Sequence, residues 1–393
     1  MIACLRLPSF AVTAHDADDS APVLIARYQG ERGRIVGACA QAEQAGVMVG
    51  MTMSRARALC PTAQVTLLAP SRVRRTFETL QTSLMRYSQW SDIERDGLQT
   101  AILYVDLGKL MPRDGRSMAE QIIDEFECLG FPASIGLGSG KFTARVAAEQ
   151  TSVGEVCLVG RGDEAAFLAP HPVTRLPLDK ETARRLNLLG LQRMGQLAGL
   201  PRSALIAQFG KLGERLHRLV SGEDLRRVAR YTPPATESVL QCFDPPLEDR
   251  LILDVVLAAC AETLITRLTE QNITCREITL TVRLDNRVEL DAQIRPRDPI
   301  SRSAVLKRVA QSLAQKLTIT AGVVSLEMRL GRLAPLRPRQ LSLFETLDAS
   351  DPREALLDLA ERYGESVFYS ISVNPLMPHI PEWRFLLEKI EAA

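Results

Sequence analysis

The sequence lacks the features that mark a membrane or secreted protein. Among its 393 residues, no apolar run reaches the ~18 residues that a membrane-spanning helix requires. The short apolar run at the N-terminus is interrupted by Pro8 and followed by acidic residues, which is unlike a signal peptide. We therefore expect a cytoplasmic protein that has no contact with a membrane.

The sequence also lacks the spacing of a metal site or of a disulfide framework. Its 8 cysteines include no Cys-x-x-Cys pair, and its 4 histidines are scattered along the chain. Most of the cysteines lie in apolar stretches, as expected of buried free thiols in a reducing compartment. We expect no bound metal and no cofactor.

The chain as a whole has no large excess of positive or negative charge, but two of its segments do. The formal net charge is +1, so composition alone does not point to nucleic acid. Residues 250–339, however, carry 15 Lys/Arg against 9 Asp/Glu, and residues 345–393 carry 4 against 10. A basic module followed by an acidic tail predicts a nucleic-acid face and a separate interaction segment, although ordinary variation of a solvated surface gives the same pattern.

Hydrophobic periodicity divides the chain into several domains. Short apolar strands alternate with helices, among them a long helix predicted over Ser71–Trp90, as far as Val159, which indicates an α/β core. Residues 172–230 are helical in pattern throughout, and prolines bracket a linker at 233–246. An α+β module and an acidic tail follow. The elements predicted there are a helix (Leu251–Gln271), two strands (Glu277–Leu284, Val288–Ile294), a helix (Ser303–Thr318), a strand (Val324–Leu330) and two tail helices (Pro352–Tyr363, Glu382–Ile390).

One predicted strand carries a pattern with chemical meaning. Residues 99–107 read Gln-Thr-Ala-Ile-Leu-Tyr-Val-Asp-Leu, which resembles the palm strand of Y-family translesion DNA polymerases, usually Ser-Ile-Asp-Glu-Ala-Tyr-Leu-Asp. Tyr104 and Asp106 match this pattern. The two catalytic carboxylates of the family fall on Ala101 and Ile102, and neither side chain can ligate magnesium.

The first strand departs from the family in the same way. It ends in Arg-Leu-Pro-Ser-Phe at residues 6–10, where the family has Asp-x-Asp-x-Phe, so that Arg6 replaces a metal-binding aspartate. Phosphoryl transfer by two metal ions needs clustered carboxylates. We therefore expect that the chain is not an enzyme. The alternative is an active polymerase whose metal site is relocated to carboxylates such as Asp16, Asp18, Asp19 or Asp106.

Other family segments are similarly altered or retained. Residues 35–61 resemble the finger segment, but the tyrosine and arginine that hold the incoming triphosphate in active members are Ala40 and Glu43. Residues 134–147 resemble the family segment that carries a lysine, here Lys141, which is either a phosphate contact or an exposed lysine at the start of a helix. In the thumb hairpin at residues 176–183, Pro177 and Asp179 replace glycines whose backbone approaches phosphate, which predicts a weakened grip on DNA.

The last strand of the α+β module resembles the little-finger strand that runs along the DNA backbone in this family. The resemblance implies weak DNA binding without sequence preference, through arginines that contact phosphates. An arginine on an alternating strand is also often merely solvated. The candidates are Arg283, Arg287, Arg295, Arg297, Arg329 and Arg332.

A five-residue motif follows a Pro/Arg-rich stretch. It is a close match to the bacterial sliding-clamp-binding peptide Gln-Leu-x-Leu-Phe, which places Leu and Phe in an apolar pocket. The alternative is a short element docked on the tail. The motif consists of Gln340, Leu341, Ser342, Leu343 and Phe344.

Together these segments resemble the ImuB-type branch of the Y family, the non-catalytic polymerase homologues of the bacterial mutasome. The resemblance implies an adaptor in SOS-induced mutagenic translesion synthesis. Such an adaptor links the sliding clamp, an ImuA-type RecA-like protein and an error-prone C-family DNA polymerase at damaged DNA. A DNA-binding structural protein without clamp contact is a further alternative, against which the pentapeptide speaks.

The same resemblance implies an α/β and α+β multidomain right hand with a tail. The predicted domains are the palm (1–12 and 80–170), the fingers (13–79), a helix-hairpin-helix-like thumb (171–232), the little finger (240–336) and the clamp motif with the C-terminal tail (337–393).

Overall fold

The computed structural model describes residues 1–15, 21–28, 30–94, 97–286, 288–336, 369–373 and 385–389. The chain divides into two compact units, Met1–Pro335 and Leu336–Ala393, which are described separately. Within the described residues, no helix is long and apolar enough to cross a membrane.

Helices and strands alternate through the first part of the larger unit. In chain order its elements are β1 (Ile2–Pro8), α1 (Phe10–Ala14), β2 (Val23–Ala26), β3 (Ile35–Ala38), α2 (Ala40–Gln44), α3 (Met53–Leu59), β4 (Gln64–Leu67), α4 (Pro70–Leu84), β5 (Ser91–Glu94), β6 (Thr100–Asp106), α5 (Pro112–Cys128), β7 (Ser134–Gly138), α6 (Lys141–Gln150), β8 (Val156–Leu158) and α7 (Glu164–Leu168).

The second part of this unit is helical and then mixed. Its elements are a 3-10 turn (Val173–Arg175), α8 (Lys180–Leu188), α9 (Met194–Ala198), α10 (Arg202–Phe209), α11 (Lys211–Val220), β9 (Glu237–Leu247), α12 (Arg250–Glu270), β10 (Ile273–Thr274), β11 (Glu277–Leu284), β12 (Glu289–Ile294), α13 (Ser303–Lys316), β13 (Val323–Gly331) and β14 (Ala334–Pro335).

Five strands form the palm sheet, in the order β5-β6-β1-β7-β8. Along each of its central strands, successive side chains point to opposite faces of the sheet. Leu5, Leu7 and Leu103 on one face are fully buried with the apolar sides of α4 and α5. The other face packs Cys4 and Tyr104 against α6. A separate three-stranded sheet, β3-β2-β4, belongs to the predicted fingers and has its own small core.

The helical segment and the little finger each have a core of their own. Helices α8 to α11 bury Leu186, Leu197 and Leu216. In the little finger, the sheet β12-β11-β13-β9 packs one face against α12 and α13 through residues such as Leu280 and Leu264. This confirms the predicted mixed α/β and α+β multidomain fold.

The structure changes three predicted elements. The linker predicted at 233–246 contains β9, an edge strand of the little-finger sheet that pairs with β13. The helix predicted over Ser71–Trp90 ends at Leu84, because the following residues turn back to start β5. The helix predicted over Glu382–Ile390 is wrong, since residues 385–389 form a strand.

In the smaller unit, β15 (Tyr369–Val373) and β16 (Phe385–Lys389) pair as antiparallel strands, with Ile371 opposite Leu387. Cross-strand pairing is what overrides the helical pattern predicted for this segment. The clamp motif at residues 340–344 and the helix predicted over Pro352–Tyr363 lie outside the described residues.

Candidate functional site

The palm sheet brings together two of the three residues that the sequence predicts at metal positions of the family. Antiparallel pairing of β1 and β6 sets Arg6 directly opposite Ile102, and Leu7 opposite Ala101. Arg6 and Ile102 therefore share the face that α6 covers. Ala101 points the other way and is fully buried in the palm core. Ala101 and Ile102 thus pack in the interior of the palm. Arg6 adds a positive charge to the cleft on the face that it shares with Ile102.

A cavity of about 460 Å³ opens on this face. Within the described part of the chain, Arg6 has neither a hydrogen-bond nor an ion-pair partner. The Nη1 atom of Arg175 is buried and lacks a hydrogen-bond partner among the described residues. The polar residues lining the cavity are Arg6, Glu94, Gln99, Thr100, Arg145, Glu149 and Arg175.

The two carboxylates of this cavity are held by arginine. Arg145 donates to Glu94 at 2.5 Å and to Glu149 at 2.9 Å, and the Glu94 carboxylate also accepts from the Tyr104 hydroxyl at 2.8 Å. Burial acts to lower the pKa of Arg145, but the hydrogen bond to Glu149 and the charge of Glu94 outweigh it and raise the pKa. Burial also raises the pKa of Tyr104, which keeps its hydroxyl protonated as a donor.

This donor set does not fit a catalytic magnesium ion. Magnesium takes carboxylate and water oxygens in octahedral geometry, and Arg145 already occupies oxygens of both glutamates. No group of three or more Asp, Glu, His or Cys side chains able to hold a metal occurs in the residues that the structure describes. Asp106 lies at the opposite end of β6, opposite Ile2, and its Oδ1 atom accepts from the Gly108 amide. Asp16, Asp18 and Asp19 lie outside the described residues.

Lys141, at the start of α6, has a closed environment. Its ammonium group is 2.5 Å from the Asp92 carboxylate and 4.9 Å from the centre of the Tyr104 ring, and its side chain is 10% exposed. Asp92 also accepts from the Ala229 amide. A phosphate contact by Lys141 stays a prediction, and such a contact would have to compete with Asp92.

Glu43 and Asp179, the predicted departures from the family in the fingers and the thumb, have local partners. The carboxylate of Glu43 accepts from the Gln99 amide at 2.8 Å, which ties α2 to the start of β6. Asp179 caps the N-terminus of α8, because its side chain accepts from the backbone and the hydroxyl of Thr182. These bonds lower the pKa of Asp179. The aspartate thus has a structural role in starting the helix.

The predicted DNA-contacting arginines of the little finger have different surroundings. Arg329 is 16% exposed and pairs with Glu78 of α4 at 2.5 Å. Arg295 and Arg332 are 58% and 61% exposed, and both approach Glu277. Arg283 and Arg297 are exposed, whereas Arg287 lies outside the described residues. All six remain predictions as phosphate contacts.

Sequence reasoning missed the network of Glu94, Arg145, Glu149 and Arg175. The pair Arg145–Glu149 could have been found, since it has the i,i+4 spacing of a helical ion pair on α6. Glu94 and Arg175 reach the cavity from β5 and from the 3-10 turn, and no local pattern marks them.

A palm sheet with helices on both faces, a small finger sheet, a helical segment and a four-stranded module define the fold class of Y-family DNA polymerases. The crystal structure of DinB from Sulfolobus solfataricus has this fold: it superposes with a TM-score of 0.51 and 17% identity, over 84% of this chain and 98% of that one. Two models of the impB/mucB/samB family match the chain, one at residues 6–149 and one, of the C-terminal domain, at residues 238–343. They cover more than half of the sequence, and the chain belongs to this family.

Relatives with assigned names are similar over most of their length. The chain is 28% identical to a DNA polymerase IV of Dehalococcoides mccartyi over 294 residues, covering 74% of this chain and 75% of the relative. It is 29% identical to a DNA polymerase IV of Methanoculleus marisnigri over 266 residues, covering 67% and 73%.

These names correct one expectation. The sequence led us to expect that the chain is not an enzyme, because of Arg6, Ala101 and Ile102. That expectation is wrong against the comparisons, since the relatives are named as polymerases, which are enzymes. The three substitutions describe one site and do not set the class of the whole protein.

Proposed function

We propose that this protein acts in translesion DNA synthesis, where it binds primer–template DNA without sequence preference and is held there by the bacterial sliding clamp. The observation that carries the proposal is the pairing of a Y-family chain with the pentapeptide at residues 340–344, directly after the little finger. In this proposal the protein binds DNA directly, and its contact with the clamp lengthens the time that it stays there.

The clamp contact follows from the chemistry of the pentapeptide. Leu343 and Phe344 are apolar anchors of the kind that fill a pocket on a partner, and Gln340 supplies an amide for a hydrogen bond at the rim. Pro335 and Pro338 precede the motif in the sequence, and proline-rich linkers in general act as extended spacers that can present a motif to a partner.

DNA binding is proposed for the exposed arginines of the little finger. Arg283, Arg295, Arg297 and Arg332 lie in the solvent-accessible part of this module. Phosphate contacts by such groups give affinity that is independent of sequence and falls with salt.

The resemblance to ImuB-type proteins extends the proposal to an adaptor role in SOS-induced mutagenesis. In that role the chain links the clamp to an ImuA-type RecA-like protein and to an error-prone C-family DNA polymerase. This docking role is separate from any chemistry at the palm. Co-purification of each partner with the full chain tests it, and failure of both to bind would remove the adaptor role while leaving clamp and DNA binding intact.

Titration of the purified sliding clamp against the full chain tests the central proposal. Truncating an aromatic or leucine anchor that fills a pocket typically costs ~2 kcal/mol, about thirtyfold in affinity. We expect Leu343→Ala with Phe344→Ala to weaken clamp binding at least that much. Ser342→Ala, at the variable position of the motif, is the matched control and should bind like the wild type. Equal affinity of all three proteins would refute the clamp contact.

The names of the relatives favour a second candidate function, nucleotidyl transfer by this chain itself. In the described structure, the carboxylates of Glu94 and Glu149 share a cavity with Arg6, and Glu94 is paired with Ile102 across β5 and β6. Primer extension by the purified protein tests this function. Because the donor set of this cavity does not fit magnesium, we expect any extension to survive in both Glu94→Gln and Glu149→Gln, which would place the activity elsewhere in the chain. Loss of extension in both variants, but not in Glu120→Gln on the exposed face of α5, would instead place it at this cavity.

A further inference from the structure

The outer face of the little-finger sheet is covered by the helix α4. Residues alternate along β11, so that Ile278 and Leu280 enter the little-finger core while Thr279 and Thr281 point away from it. Thr279 and Thr281 are nevertheless only 3% and 8% exposed. A hydrogen bond from Arg74 to the Thr279 hydroxyl at 3.2 Å places α4 over this face.

Arginines of α4 meet carboxylates of the sheet. Arg75 lies 2.5 Å from Glu289 of β12 and 2.6 Å from Glu327 of β13. Arg74 lies 3.3 Å from Glu277 of β11. One cationic helix face thus contacts three neighbouring strands.

In one ion pair of this contact the charges are exchanged, with the arginine on the sheet and the carboxylate on α4. Arg329, a predicted phosphate contact, is bound by Glu78 of α4 at 2.5 Å. Asp291 also lies on the outer face, and burial together with the charge of Glu289 raises its pKa. The outer face of the described strands therefore carries an excess of carboxylates, and in this arrangement its most central arginine is neutralised from within the chain.

The contact is not packed like a core. The palm and the little finger bury separate apolar clusters that have no residue in common. A cavity of about 520 Å³ remains between α4 and the sheet, with Val73, Phe77 and Tyr231 in its lining. The contact is held by ion pairs and hydrogen bonds rather than by a shared apolar core, so it can open without unfolding either part.

We propose that α4 is an internal occupant of the little-finger DNA face, and that the chain must open this contact to bind DNA fully. Opening exposes Arg74, Arg75 and Arg329 to phosphate. Since only open molecules bind with full affinity, the apparent Kd for DNA equals the Kd of the open form divided by the fraction of molecules that are open. This inference rests on the DNA binding proposed above.

Two measurements on the full chain test the closure, and the first uses no DNA. A cysteine placed at Thr281 reports opening through its rate of modification by N-ethylmaleimide, which peptide mass spectrometry resolves from the natural cysteines. Between about 0.1 M and 1 M NaCl the screening length falls from about 10 Å to 3 Å, so modification should accelerate with salt. Glu289→Gln with Glu327→Gln should accelerate it at least about fivefold at low salt.

The second measurement is the affinity for a primer–template duplex. The same double variant should bind at least about fivefold more tightly than the wild type. Glu262→Gln with Glu270→Gln, on α12 at the other side of the sheet, removes the same charge and should change both readouts less than twofold. Equal effects of the two pairs, or no effect of either, would overturn the closure. Faster modification with no DNA binding by any variant would instead overturn the DNA-binding function.

Discussion

At the scale of single residues, the roles of several side chains are set by a partner that is distant in sequence. His15 is an example. Its Nδ1–H donates to the Ala11 carbonyl at 2.7 Å, and its Nε2 accepts from the Ala69 amide at 2.9 Å. Because one ring nitrogen donates and the other accepts, the imidazole is neutral in the folded protein. Burial lowers the pKa of His15, and this effect outweighs the hydrogen bond to the Ala11 carbonyl, which acts to raise it.

This arrangement predicts a loss of stability in mild acid. The folded-state pKa is below the unfolded value of about 6.5, so the contribution of His15 is complete above that value and is lost as the pH falls through the folded-state pKa. Denaturant unfolding at a series of pH values measures it. His15→Ala should lower the free energy of unfolding by about 1 kcal/mol at pH 8 and less at pH 5. A loss of the same size at both pH values would contradict the neutral assignment.

The same scale shows where sequence reasoning succeeds. The strand predicted within residues 99–107 is present as β6, and the structure adds that Arg6 faces Ile102 while Ala101 enters the core. What the sequence could not supply is the pairing of Arg329 with Glu78, 251 residues apart. Such pairs depend on how modules meet, and local patterns do not encode that.

At the scale of elements, close approach of a helix to a strand sets strict limits on side-chain size. Gly136 on β7 lies against α6, and a Cβ atom there would be 2.0 Å from the Ala144 carbonyl oxygen and 2.3 Å from the Ala148 nitrogen. Both are backbone atoms of the helix and cannot move aside as a side chain can. This glycine therefore fixes the spacing between α6 and the palm sheet.

We predict that Gly136→Ala destabilises the protein by about 3 kcal/mol, at the upper end of overpacking costs. Denaturant unfolding measures the change. Gly97→Ala is the control, because a Cβ atom at that position meets no described atom within 4 Å. The clash would be refuted if the two variants had equal stability.

Element prediction worked where one periodicity dominates. Strand β11 was predicted with its observed bounds, Glu277–Leu284, because its apolar residues alternate strictly. Strand β9 was predicted as a linker, since its prolines and exposed residues are those of an edge strand that only its partner β13 defines. Residues 385–389 show the same dependence on a pairing partner.

At the scale of the whole molecule, the palm and the predicted DNA face of the little finger meet at α4. This helix buries Leu80 and Leu84 in the palm core and directs Arg74 and Arg75 toward the little finger. The expected DNA face is thereby divided between a covered centre, which holds Arg329, and an open rim. The mixed α/β and α+β multidomain fold was predictable from family resemblance, whereas this division follows only from how the modules are arranged in space.

The division predicts which arginines set the salt dependence of DNA binding. Arg283 and Arg297 are exposed and should contact phosphate without any prior opening. Each phosphate contact contributes about 0.9 to the slope of log affinity against log salt on duplex DNA, so replacing both by alanine should flatten the slope by nearly 2. Affinity should fall to the same degree for every DNA sequence, because phosphate contacts carry no base information.

Fluorescence anisotropy of labelled duplexes, titrated at several salt concentrations, gives this slope directly. Arg302→Ala with Lys316→Ala removes the same charge from α13, which covers the opposite face of the sheet. A protein changed only there should lose affinity slightly and keep its slope. An equal flattening in both double variants would mean that DNA responds to the net charge of the module, and the outer rim would then have no special role in binding.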